Sequence, residues 1–175
     1  TGVVSKGYRE EGYLPEALFN ALAFVGWSPG TEEEFFTKEE LVQRFKLEKV
    51  QKSPAAFNFE RLDYVSGWYI RHLSVTEVAN HMRPYLEAAG FTGIEQAFLE
   101  KVAATLQERF KHFDETVTFS RFFFVRPEIN DALRMLVVPK KGDSIMTQTI
   151  MTQVASLLEH HDNWSIESLT ETLQT

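Results

Sequence analysis

The residues that most often perform chemistry are few in this sequence and are poorly arranged for catalysis. His160 and His161 stand side by side and Asp162 follows them, and imidazole and carboxylate groups are common metal ligands. Adjacent side chains point in different directions on a helix, so this cluster is better interpreted as a solvated helix end. Ser5 with Lys6 is too little to indicate a nucleophile, and neither a Gly-rich phosphate loop nor a His-Glu-x-x-His motif occurs. We therefore expect no catalytic and no metal-binding residues.

Basic side chains offer a second kind of chemistry, the binding of phosphate groups. Four of them lie close together in an otherwise acidic chain: Arg44, Lys46, Lys49 and Lys52. Such a cluster can neutralise phosphates, although a solvated helix face explains it equally well. Arg71 can hold either a phosphate or a carboxylate. The second half of the chain adds further candidates for a phosphate-binding surface: Arg121, Arg126, Arg134, Lys140 and Lys141.

The composition limits the class of protein. The 175 residues suit one medium-sized domain or two small ones, and the 43% of hydrophobic residues argues against disorder. The formal net charge is −7, so any contact with nucleic acid must come from local basic patches. No apolar run approaches the roughly 20 residues that span a bilayer. The absence of cysteine fits a reducing compartment. We expect a cytoplasmic protein, with an organellar location left open.

Helix start signals recur along the chain and predict a mainly α fold. Four residues that can cap a helix N-terminus each stand next to an apolar residue that can pack on the first turns: Thr37, Asn58, Ser74 and Ser165. Thr37 and Ser74 are each followed three residues later by a glutamate, which is the pattern of a capping box. Pro15 suits the first turn of another helix, with Leu14, Leu18 and Leu22 on its apolar face.

The second half of the chain predicts a longer helix, an ambiguous segment and a linker. A helix after Gly93 is expected to place five apolar residues on one face: Ile94, Phe98, Val102, Leu106 and Phe110. The apolar run from Phe119 to Val125 is short, so a helix and a strand are both possible. Pro139–Asp143 has the composition of a linker, and helical spacing returns from Ile145 to Leu158.

One long segment carries a family resemblance. Tyr8–Ser28, with the sequence YREEGYLPEALFNALAFVGWS, closely resembles the glutamyl-tRNA synthetase family. The similarity continues in order through further segments: Phe35–Leu41, Lys52–Asn58, Leu62–Tyr64 and Gly67–Arg71. It is looser in the rest of the chain, where these segments resemble the family's anticodon-binding region: Arg83–Leu86, Gln107–Phe110 and Trp164–Leu169.

The resemblance implies a function for a larger parent enzyme and for this part of it. The parent would be a bacterial-type class I synthetase that activates glutamate with ATP and magnesium and attaches it to tRNA(Glu). Both ATP-site signatures of the family, of the His-Ile-Gly-His and Lys-Met-Ser-Lys-Ser types, are absent. The chain is therefore expected to be the C-terminal, tRNA-reading part of a longer protein. It would be inactive by itself, contain no cofactor, bind tRNA(Glu) and be a monomer.

The resemblance also divides the chain into domains. Residues 1–73 would form a stem-contact domain at the inner corner of the tRNA, and residues 74–138 an α-helical anticodon-binding domain. Residues 139–175 would begin a second anticodon-binding domain, truncated because its last helices are expected beyond Thr175. Its final helix, Ile166–Leu173, should then be the least stable part of the chain.

Arg109 is the sharpest candidate for a specificity residue. In the family, an arginine at the matching position reads the third anticodon base; an ion pair of Arg109 with Asp114 or Glu115 is the alternative. Contacts with the tRNA backbone are expected from the remaining basic candidates: Arg44, Lys46, Lys49, Lys52, Arg71, Arg121 and Arg126. The alternative function is that of a helical protein-interaction module derived from a synthetase.

Overall fold

The computed structural model describes residues 6–52, 56–128, 130, 137–138 and 142–174. Every regular element within these residues is helical, which confirms the mainly α prediction. The α-helices are α1 (Pro15–Ala23), α2 (Lys38–Arg44), α3 (Phe59–Arg71), α4 (Val75–Ala88), α5 (Gln96–Leu106), α6 (Thr116–Ser120), α7 (Ser144–Glu159) and α8 (Ile166–Leu173). Single 3₁₀ turns lie at Leu47–Lys49, Gln107–Arg109, Phe113–Glu115 and Arg121–Phe123.

All four predicted N-terminal caps are present. The Thr37 hydroxyl accepts the backbone N–H of Glu40, and the Glu40 carboxylate accepts the backbone N–H of Thr37, which completes a capping box. Ser74 and Glu77 form the same reciprocal pair at the start of α4. Asn58 and Ser165 cap α3 and α8 through their side chains alone. These bonds satisfy backbone donors that have no partner inside the helix.

The chain forms two compact units, Thr1–Arg126 and Pro127–Thr175. In the first unit, α3, α4 and α5 enclose the main core, in which Val65, Met82 and Leu99 are fully buried. A smaller cluster of Trp27, Phe36 and Leu41 lies beside α2. In the second unit, α7 and α8 bury none of their described side chains. The domain boundaries at residues 73 and 138 stay predictions.

The face that α1 buries differs from the predicted one. Ala17, Asn20 and Ala21 are buried, whereas Leu22 is half exposed. Small side chains let α1 approach α3 closely, and the Asn20 amide donates to the Tyr69 hydroxyl at 2.8 Å. The leucine face predicted from spacing was therefore only partly right.

The predicted helix from Ile94 to Phe110 is too long. Helix α5 begins at Gln96 and ends at Leu106, and the chain continues as the 3₁₀ turn Gln107–Arg109. Phe110 is extended, with φ −70° and ψ 135°, and its ring is buried among Phe113 and Phe119. The segment after Phe119, left open between helix and strand, is helical.

Candidate nucleic-acid interface

A groove separates one face of α3 from the segment that follows α5. It has a volume of about 490 Å³ and is lined by Glu60, Asp63, Tyr64, Gly67, Arg71, Glu108, Arg109, Phe110 and Lys111. The α3 residues of this set lie at positions 60, 63 or 64, 67 and 71, so successive turns of the helix present them on the same face. The opposite wall is built by the turn after α5, whose position depends on the buried Phe110 ring. The groove lies wholly within the first unit.

Arg109 lies in the 3₁₀ turn at the groove, and its side chain is exposed. The alternative ion pairs do not form between described residues, because both carboxylates are engaged elsewhere. Asp114 contacts His112 at 2.6 Å and Lys6 at 3.6 Å. Glu115 accepts the backbone N–H of Lys111 at 2.8 Å. The Arg109 guanidinium therefore keeps its donors available to a ligand.

The other two cations of the groove each face a carboxylate. Arg71 Nε lies 4.0 Å from the Glu108 carboxylate, which is 79% exposed. Lys111 Nζ lies 3.6 Å from Asp63, and both side chains are in contact with solvent. Solvent-exposed ion pairs at such distances contribute little stability.

Asp63 is held in place by a hydrogen bond from Tyr13 that is shorter than its contact with Lys111. The Tyr13 hydroxyl donates to Asp63 at 2.6 Å. Burial and this hydrogen bond raise the pKa of Tyr13 well above its usual value, so the phenol remains a donor at neutral pH. Asp63 thus keeps a fixed partner on one oxygen while the other faces Lys111 in the groove.

Gly67 shapes the floor of the groove. A Cβ atom at this position would lie 3.1 Å from Arg71 Nη1 and 3.3 Å from the Phe110 carbonyl oxygen. The missing side chain therefore allows the backbone at Phe110 to approach α3. Tyr64, one turn earlier, leaves about half of its surface exposed and presents an aromatic ring at the rim.

The structure brings Arg71 and Arg109 together, and the other predicted cations among the described residues lie outside the groove lining. Arg44 pairs with Glu33, and its guanidinium lies 4.9 Å from the centre of the Phe36 ring. Lys49 donates to the carbonyl of Pro29 at 3.4 Å. Four further cations are exposed: Lys46, Lys52, Arg121 and Arg126. Arg134, Lys140 and Lys141, and most of the predicted linker Pro139–Asp143, lie outside the described residues.

Lys111 is a groove residue that the sequence reasoning missed. Lys111 could have been predicted because it directly follows Phe110, an apolar residue expected to be buried beside Arg109. A buried aromatic residue fixes the backbone on both sides, so the cations at Arg109 and Lys111 are held near each other although neither side chain is buried.

Neither a metal site nor a membrane span is found in the part of the chain that the structure describes. No group of three or more histidine or carboxylate side chains converges there. His160 is the C-terminal cap of α7, as expected of a helix end. No helix in the same residues has both the length and the apolar character needed to cross a membrane.

Comparison with known proteins gives the family of this chain. Residues 77–175, more than half of the chain, match the family described as anticodon binding domain. Residues 1–64 match the family described as tRNA synthetases class I (E and Q), catalytic domain. The two matches define a region of a class I aminoacyl-tRNA synthetase that includes an anticodon-binding domain.

Similar relatives of this chain are glutamate–tRNA ligases. The glutamate–tRNA ligase of Herpetosiphon aurantiacus is 36% identical over 171 residues, which are 95% of this chain and 34% of that protein. The glutamate–tRNA ligase of Aquifex aeolicus is 44% identical over 127 residues, 71% of this chain and 27% of that protein. A crystal structure of a glutamate tRNA ligase from Elizabethkingia meningosepticum, in complex with its amino acid, superposes with a TM-score of 0.75 at 27% identity. The superposed region covers 96% of this chain and 32% of the Elizabethkingia chain.

The chain belongs to the anticodon binding domain family. The relatives that it matches over most of its length are glutamate–tRNA ligases, the family that the resemblance of Tyr8–Ser28 indicated. It spans about a third of the length of the curated relatives that match over nearly all of it.

Proposed function

We propose that this chain binds the anticodon region of tRNA(Glu) and that Arg109 reads the third anticodon base. The observation that carries the proposal is the groove itself, where Arg109 has free donors and Arg71 and Lys111 stand close by. Within a whole glutamate–tRNA ligase, which would attach glutamate using ATP and magnesium, this chain would select the tRNA and take no part in the chemical step. It would act as a monomer in the cytoplasm.

Hydrogen-bond chemistry explains why an arginine would select one base. Arginine offers only donors. The unpaired edge of cytosine, the third base in tRNA(Glu), presents the acceptors O2 and N3. Guanine, the third base in the otherwise similar tRNA(Gln), presents the donors N1–H and N2–H there. Donors that face donors stay unpaired after desolvation, which disfavours guanine. Unpaired RNA bases are commonly read through such edges.

Phosphate binding at the rim would supply affinity without sequence information. A phosphate that approaches Arg71 or Lys111 replaces Glu108 or Asp63 as the partner of that cation. The chain carries a formal charge of −7, so its long-range field opposes RNA. We therefore expect weak binding that depends steeply on salt concentration, because local phosphate contacts dominate the affinity.

The test is a titration with two anticodon stem-loop RNAs that differ only in the third anticodon base. The cytosine RNA should bind more tightly by about 1–3 kcal/mol, and Arg109→Gln should remove most of that difference. Lys101→Gln, which removes one exposed positive charge from α5 outside the groove, is the matched control and should leave the difference intact.

Two results would contradict the proposal in different ways. Equal affinity of the unaltered chain for both RNAs would refute base reading by Arg109. Absence of binding to either RNA, even at low salt, would refute tRNA binding by this chain and would favour the protein-interaction module.

A further inference from the structure

The side-chain amide of Gln107 reaches from the 3₁₀ turn after α5 to the C-terminal end of α3. Its Nε2 atom is 2.9 Å from the carbonyl oxygens of Ile70 and Leu73 and 3.3 Å from that of Arg71. Ile70 and Arg71 are the last residues of α3, and Leu73 lies in the short connection to α4. The Ile70 oxygen also accepts the backbone N–H of Leu73 at 3.2 Å. An amide nitrogen carries two hydrogens, so the three contacts of Gln107 share them.

Gln107 begins the 3₁₀ turn that carries Arg109. Leu106 before it and Phe110 after it are buried at 2% and 1% exposure, whereas Glu108 and Arg109 are exposed. The two buried residues fix the ends of the turn. Between them, Gln107 makes the only side-chain hydrogen bonds that run from this turn to α3 among the described residues.

Gln107 therefore links the two elements that form the walls of the groove, although it is not itself a lining residue. One of its acceptors is the carbonyl of Arg71, whose side chain lines the α3 wall. Its own backbone belongs to the wall of Arg109. A ligand that contacts both arginines needs a fixed separation between them, because recognition is lost when supporting residues leave a site loose.

We propose that Gln107 is a positioning residue that holds the Arg109 turn against the end of α3 and so sets the geometry of base reading. The inference rests on the proposed function, since it assigns Gln107 an effect on the choice made by Arg109. Gln107 itself need not touch RNA. Its contribution is preorganisation, which favours a ligand by reducing the ordering that binding requires.

The test uses two substitutions and one matched control. Gln107→Met keeps the length of the side chain and removes its donors, whereas Gln107→Asn keeps the amide and withdraws it by one methylene. Gln43→Met makes the same chemical change at an exposed position of α2. The melting temperature of each variant shows that it is folded, and Gln107→Asn carries the test if Gln107→Met does not fold.

The first measurement needs no RNA. Amide hydrogen exchange at residues 107–111 should be about tenfold faster in either Gln107 variant, while Val102 and the Gln43→Met chain should be unchanged. Unchanged exchange at residues 107–111 would overturn the proposal, because the turn would then be held without Gln107.

The second measurement is the ratio of affinities for the cytosine and guanine stem-loops. Either Gln107 variant should reduce this ratio by about tenfold, mainly by weakening the cytosine complex. Faster exchange with an unchanged ratio would overturn the positioning role and leave Gln107 as a helix cap.

Arg109→Gln separates the two hypotheses. If it also leaves the ratio unchanged, base reading by Arg109 is wrong and the role of Gln107 fails with it; if it lowers the ratio and the Gln107 variants do not, only the inference about Gln107 fails.

Discussion

The backbone N–H of Phe113 donates to the carbonyl oxygen of Gly12 at 3.1 Å. A second bond beside it joins the N–H of Asp114 to the carbonyl of Glu11 at 3.2 Å. These bonds attach the segment before α1 to the residues that follow the groove. Gly12 has φ +82°, a conformation that other residues rarely adopt, so the attachment depends on glycine at this position.

Gly12→Ala should strongly destabilise the chain. The new Cβ atom would lie 2.7 Å from the Phe113 nitrogen and 2.6 Å from the Tyr85 hydroxyl oxygen, in addition to the strain of positive φ. We expect a loss of about 3 kcal/mol or more in the free energy of unfolding, measured by urea denaturation, from strain and overpacking together.

Gly90→Ala is the control for that experiment. Gly90 has φ +90° and no atom within 4 Å of the position of a Cβ, so only the backbone strain of about 1–2 kcal/mol applies. Equal losses in the two variants would show that the Gly12–Phe113 contact adjusts without cost.

Tyr69→Phe removes a single hydroxyl group but should lower the free energy of unfolding markedly. The Tyr69 hydroxyl donates to the Phe36 carbonyl and accepts from the fully buried Asn20 amide. Burial raises the pKa of Tyr69, which keeps the hydroxyl protonated as a donor. Its removal leaves polar groups without partners, and we expect a loss of about 1–3 kcal/mol in unfolding free energy. Tyr64→Phe removes an exposed hydroxyl and should change the stability by less than about 0.5 kcal/mol. Similar losses in the two variants would show that the hydrogen bonds of Tyr69 with Asn20 and Phe36 add little to stability.

The capping boxes should contribute to acid sensitivity. Hydrogen bonds from the backbone and side chain of Thr37 lower the pKa of Glu40, and bonds from the side chain and backbone of Ser74 lower that of Glu77. A carboxyl group with a depressed pKa stabilises the fold above its unfolded-state pKa, and that contribution is lost as the pH falls through the folded-state pKa. Both contributions should therefore be present at neutral pH and disappear below the ordinary glutamate range.

The hydrogen bonds of the two capping boxes predict which cap variant has the larger effect on the pKa of its glutamate. The Ser74 hydroxyl lies 2.6 Å from the Glu77 carboxylate and donates to it beside the backbone N–H, whereas the backbone N–H of Thr37, at 2.8 Å, is the main donor to Glu40. Ser74→Ala should therefore raise the pKa of Glu77 more than Thr37→Ala raises that of Glu40. Carboxyl chemical shifts followed through an acid titration measure both. A larger change at Glu40 would contradict the larger role of the Ser74 hydroxyl.

The helix starts could be predicted because their causes are local. Thr37 and Ser74 each bond to a residue three positions ahead, so the pattern is visible in a short stretch of sequence. The end of α5 could not be predicted in this way. Gln107 bonds to carbonyls more than thirty residues earlier, and the helical spacing of Phe110 continues past the true helix end.

The groove was predicted only in part for the same reason. Arg109 came from the resemblance to a family, and Arg71 from its charge. Gly67 and Tyr64 line the groove because α3 meets the turn after α5, a contact between distant parts of the chain that no local pattern reveals. Only Lys111 had a local signal, its position directly after the apolar Phe110.

Gly67→Ala should separate RNA binding from stability. Its Cβ would lie 3.3 Å from the Phe110 carbonyl, a backbone atom with little freedom, and 3.1 Å from the mobile end of Arg71. The groove should narrow and Arg71 should shift, so we expect binding of the cytosine stem-loop to weaken by about tenfold. Alanine favours an α-helix over glycine by about 1 kcal/mol, which should offset the local crowding and leave the melting temperature nearly unchanged. Gly90→Ala, outside the groove, should show the converse, with a lower melting temperature and unaltered RNA affinity. If Gly67→Ala binds RNA as tightly as the unaltered chain, the groove between α3 and Phe110 is not where the RNA lies.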